Sequence, residues 1–77
     1  MMMTKEQEKA LRRATYSAYS GIAHDLGDCD PSDALESVVW TMQGELRKSD
    51  PICDLINFPL DASVREAIIS EIKSITG

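Results

Sequence analysis

The sequence predicts an all-α fold, a small single-domain helical bundle of three main helices plus one short helix. Two observations predict it. Apolar residues recur at helical rather than alternating spacing throughout the 77 residues, and cap-like residues stand where each periodic stretch begins or ends. No alternating strand pattern of useful length, internal repeat or low-complexity linker interrupts them.

Residues 1–3 are expected to fray, and the first helix to begin after Thr4, because Thr4 with Gln7 forms a T-x-x-Q capping box. Leu11, Thr15, Ala18, Ile22 and Leu26 then lie along one stripe, widened on one side by Tyr16, Tyr19 and Ala23. On the other side Ala10, Ala14, Ser17 and Gly21 form a strip of small residues, where a neighbouring helix could come close. Close packing is one reason to place Gly21 in a helix, where it costs ~1 kcal/mol relative to Ala. Gly27 is placed to end the helix with a positive φ.

The central helix is the best specified, spanning Asp30 to Lys48 as DPSDALESVVWTMQGELRK. Asp30 is the expected cap and Pro31 suits the first turn, where a missing N–H costs nothing. Asp33 and Glu36 near the start, with Arg47 and Lys48 at the end, complement the helix dipole. Leu35, Val38, Val39, Met42 and Leu46 make its buried stripe, and the short Gly27–Cys29 turn makes the first two helices antiparallel. Pro51 to Asn57 is expected to be a short helix or helical turn presenting Ile52, Leu55 and Ile56, ended by Phe58 and Pro59. A last helix follows from about Asp61, with Asp61 and a Ser63–Glu66 box as competing caps and Val64, Ile68, Ile72 and Ile75 as its stripe. The most buried residues are expected to be Leu11, Ala18, Ile22, Leu35, Val39, Met42, Leu46, Leu55, Phe58, Val64, Ile68 and Ile72.

Composition narrows the function. Hydrophobic content of 43% with 27% charged residues is that of a globular domain. No apolar run approaches the ~20 residues of a membrane span, and the first residues lack the apolar core of a signal peptide. A cytoplasmic protein without membrane contact is expected. Cys29 and Cys53 are too few and too irregularly placed for a disulfide framework, so reduced thiols are expected.

The net charge of −5 is unevenly placed. Asp25, Asp28, Asp30, Asp33 and Glu36 fall within one window that holds no Lys or Arg, leaving eight acidic against eight basic residues elsewhere. Such a corner attracts a basic protein surface and repels nucleic acid. Helix punctuation accounts for Asp30 and Asp33 equally well, but not for the absence of any basic residue across the window. Trp40 has two readings as well. It falls off the buried stripe, on a face with Glu36, Ser37, Gly44 and Arg47, and Ile69 is similarly displaced in the last helix. Either it anchors a partner, as Trp often does, or a core helix packed on two sides covers it.

Other chemistries fail on spacing. An EF-hand loop from Asp28 would need Gly where Asp33 stands and Glu where Val39 stands. His24, Cys29 and Cys53 match no compact zinc spacing, and His24 suits the dipole at the end of the first helix. The many serines have one histidine between them and no nucleophile elbow, and the four glycines are isolated, so there is no phosphate loop. Size and acidity are similar to those of acyl carrier proteins, but the attachment serine of that family stands in Asp-Ser-Leu, whereas Ser32 stands in Asp-Pro-Ser-Asp. The resemblance stops there. Lys5, Lys9, Arg12 and Arg13 cluster on the first helix but interleave with Glu6 and Glu8, and no helix reads as a DNA-recognition helix.

The expectation is therefore a non-enzymatic protein-interaction module with no cofactor and no metal. It would use Asp25, Asp28, Asp30, Asp33, Glu36 and Trp40 to occupy a basic site on a larger protein. An inhibitor of a nucleic-acid-binding machine, of the kind phages and mobile elements encode, is one concrete form of it. The alternative is a structural homo-oligomer, such as a homodimer, that buries Trp40 and Ile69 against itself; a small DNA-binding regulator ranks lower.

Overall fold

In a computed structural model of the chain, residues 3–27 and 30–76 are described. Three helices follow in order: α1 Lys5–Leu26, α2 Pro31–Glu45 and α3 Ala62–Thr76. Among the described residues there is no strand. Each helix packs on the other two, so the all-α class read from the sequence holds. The extents are 31 × 21 × 21 Å.

Helix α1 starts as its residues dictate. The Thr4 side chain accepts from the Gln7 N–H at 3.0 Å, and the Thr4 N–H donates to Gln7 Oε1 at 2.9 Å, closing the capping box. At the other end Gly27 has φ 62° and ψ −130°, and its N–H donates to the Ala23 carbonyl. Only glycine adopts that backbone without strain. Leu11, Thr15, Ala18 and Tyr19 are buried. Ile22, expected to be fully buried, is only half-buried, because the stripe rotates toward solvent in the last turns. Tyr16, placed on the edge of the stripe, is exposed. Gly21 differs from its expected role. It is exposed, and a Cβ there would meet nothing within 4 Å, so no backbone packs against it.

Helix α2 buries Ala34, Leu35, Val38, Val39 and Met42. Asp30 occupies the cap position with extended backbone, but its carboxylate makes no hydrogen bond to the helix. The stabilisation expected of that side chain therefore reduces to charge near the positive end of the dipole. The helix also stops at Glu45, short of the expected Lys48. Leu46 is already extended (φ −74°, ψ 141°). Asp50 takes over the following backbone: its Oδ2 accepts from the Arg47 N–H at 2.7 Å, and its own N–H donates to the Arg47 carbonyl at 3.0 Å. A short polar side chain thus outcompetes helix continuation just before Pro51. Arg47 and Lys48 lie in this turn and not in the last turn of α2, and Leu46 is half-buried rather than core.

The segment expected to be a short helix or a helical turn is the latter, a succession of turns, with Cys53 N–H donating to Asp50 O and Leu55 N–H to Ile52 O. It still presents the apolar residues read from its sequence: Ile52, Leu55 and Ile56 are buried. Two side-chain amides tie its backbone down, Gln43 Nε2 to Ile56 O at 2.8 Å and Gln7 Nε2 to Pro51 O at 3.4 Å. Phe58, expected in the core, is 46% exposed. It precedes Pro59, to which a cis peptide joins it, in a bend of the chain outside any helix.

Asp61 settles the competition at α3. Its carboxylate accepts from the Ser63 hydroxyl at 2.6 Å and the Ser63 N–H at 3.3 Å, and its carbonyl accepts from Arg65 N–H. Those Ser63 hydrogen bonds hold the Asp61 carboxyl below its usual range. Val64, Ile68 and Ile72 are the buried residues of α3; Ile69 and Ile75 pack at its edge, half-buried. Met3, expected to fray with the two residues before it, packs partly buried against the core, and residues 1–2 lie outside the description. Thr15 is the one buried polar residue among those described, its hydroxyl 3.9 Å from Met42 Sδ.

Candidate functional site: an acidic and aromatic face on α2

Residues at positions 33, 36, 37, 40 and 44 share one side of a 100°-per-residue helix. On α2 these are Asp33, Glu36, Ser37, Trp40 and Gly44, and all are exposed, opposite the buried stripe. This is where the covered reading of Trp40 fails. The residue is 59% exposed, although α2 packs against both α1 and α3. Side chains on a helix lean toward its N-terminus, so the indole extends over Glu36. Its Nε1–H donates to Glu36 Oε1 at 3.4 Å. Gly44, one turn further on, has nothing within 4 Å of its missing Cβ and does not cradle the ring.

Phe58 completes the aromatic surface. Its ring centroid lies 5.9 Å from that of Trp40 with 42° between the planes, a tilted contact of ordinary aromatic geometry. The sequence reading put Phe58 in the core and missed this pairing. The available signal was its position beside Pro59, in a turn where helical burial no longer applies.

The acidic residues gather at one end of this face. Asp25 lies in the last turn of α1, Asp30 at the cap of α2 and Asp33 in its first turn, all exposed. The tight connection between antiparallel helices brings these three to the same end of the molecule. Glu36 continues the charge along α2 to Trp40. Asp28 and Cys29 lie outside the described residues, and so does any approach of Cys29 to the half-buried free thiol of Cys53. His24 stands exposed in the last turn of α1.

A second surface feature is a groove of about 510 Å³ between α1 and the segment after α2. The small residues Ala10, Ala14 and Ser17 line one side, and Leu46, Pro51 and Ile52 the other. It also meets Lys9 and Arg13 of one sign and Glu6, Glu45 and Asp50 of the other, so its charges nearly cancel. Among the described residues no group of three or more His, Cys, Asp or Glu could hold a metal ion, and no helix is long and apolar enough to cross a membrane.

Fold and surface define a three-helix protein with one acidic, aromatic-bearing face. No family model matches the chain, and neither a curated protein nor a solved structure matches it either.

Proposed function

We propose that the chain is a non-enzymatic protein-interaction module whose exposed α2 face docks on a basic surface of a larger protein. The observation that carries this reading is Trp40, held in water beside Phe58 on a face bounded by Glu36 and Asp33. Exposing a large aromatic pair is unfavourable for an isolated domain, and Trp is enriched where partners bind. The negative charge along the same face supplies long-range attraction for a cationic partner. A partner that ordinarily binds nucleic acid offers a surface of this kind, so occupancy of that surface makes the chain an inhibitor.

The test uses the tagged protein as bait in a bacterial lysate, beside an Asp28/Asp30/Asp33→Asn variant. The expected result is a basic protein retained only by the unaltered chain, released by salt, whose nucleic-acid binding the purified chain then blocks. Retention that salt and the triple substitution leave unchanged would overturn the reading.

The same exposed aromatic pair supports self-association as a second reading. It predicts a melting temperature that rises with protein concentration, and the first reading predicts no such dependence.

A further inference from the structure

We propose that Trp40 and Glu36, with Phe58 behind them, form a subsite for one arginine side chain of the partner. This rests on the docking function above and specifies its chemistry. Trp40 and Glu36 stand one turn apart, and the 3.4 Å contact from the indole nitrogen to Oε1 sets the carboxylate at the edge of the ring. Glu36 is exposed, and the one hydrogen bond its carboxylate makes among the described residues is the Trp40 contact at Oε1. Phe58 lies against the indole at 5.9 Å between ring centroids, while Trp40 as a residue stays 59% exposed.

A flat cation that stacks on an aromatic ring and forks onto a carboxylate fits this arrangement. The guanidinium of arginine does both. The ammonium of lysine is a compact, strongly hydrated charge that gains little from a planar surface. An uncharged apolar side chain would have to desolvate Glu36, with Asp33 one turn away, and gain nothing from either charge. A nucleic acid would meet like charge along the whole face. A second copy of the chain would set the same acidic face against itself around a two-fold axis.

The test titrates the chain against two fluorescein-labelled peptides of equal length and charge, one arginine-based and one lysine-based, followed by anisotropy. The arginine peptide is expected to bind about threefold to tenfold more tightly. Trp40→Leu and Glu36→Gln should each reduce it to the lysine level. Both side chains are exposed, and far-UV circular dichroism should show the variants folded.

Equal affinity of the unaltered chain for the two peptides would overturn the arginine subsite and leave the docking function standing. Failure of both peptides to bind at low salt would overturn the docking function as well. Sedimentation of the chain as a dimer that the arginine peptide does not dissociate would assign the face to a second copy, and overturn the subsite.

Discussion

Two glycines, one inside α1 and one just past its end, show how differently one residue type can act six residues apart. Gly21 sits mid-helix with open space where a Cβ would go, so Gly21→Ala should stabilise the protein by about 1 kcal/mol in a urea melt. Gly27 sits at φ 62°, and Gly27→Ala should cost about 1–3 kcal/mol in the same experiment. The second effect was legible from sequence because a helix end asks for such a residue. The first was not, since an interior glycine has the same letter whether a neighbour crowds it or water surrounds it. Caps divide in the same way. Thr4 and Gln7 are close in sequence and reciprocal, so they specify their own geometry, whereas whether Asp30 or Asp61 bonds its helix depends on how the preceding chain arrives. Asp61 does bond, and its folded-state pKa is lowered by Ser63. A lowered pKa stabilises the ionised, folded form. Its contribution is fully present above the ordinary carboxylate value and is lost as pH falls through the lowered one. The melting temperature of Asp61→Ala should therefore lie below that of the unaltered protein at neutral pH, and the gap should narrow in acid.

Among the elements, α2 has the clearest buried stripe and the least legible end. The stripe follows from helical periodicity alone. Its C-terminus is decided by competition between further helix and the Asp50–Arg47 turn, and periodicity carries no information about that contest. Leu46 lies on the expected stripe but beyond the last helical residue, which is why it is only half-buried. The 46–61 connection does a helix's work without being one, because Ile52 and Ile56 reach the core from turns. Ile52→Ala should then cost about 2–5 kcal/mol, as much as Ile68→Ala in the middle of α3. Thermal melts followed by circular dichroism would measure both. If Ile52→Ala is near neutral, the turns are packed decoration and not part of the core.

At the scale of the molecule, charge and shape had different legibility. The acidic window is written in the sequence, and the short turn between α1 and α2 made its gathering at one end predictable. That Trp40 would face water was not predictable, because α2 touches both other helices and any face of it could have been covered. What leaves Trp40 open is the small number of elements: with three helices, α2 has no third helix to cover the face that carries Glu36, and only Phe58 of the 46–61 connection reaches it. The same small size makes stability marginal, on the order of 0.05–0.15 kcal/mol per residue. The net charge of −5 adds self-repulsion at the acidic end, so added salt should raise the melting temperature modestly even as it weakens the proposed docking.

Trp40 is the single tryptophan of the chain, and its exposure has an optical consequence. An indole already in water emits at long wavelength in the native state, so unfolding will shift its spectrum little and will under-report loss of structure. Engagement of the α2 face would move the same emission to the blue while the fold stayed constant. For this chain intrinsic fluorescence is a gauge of contact and a poor gauge of folding.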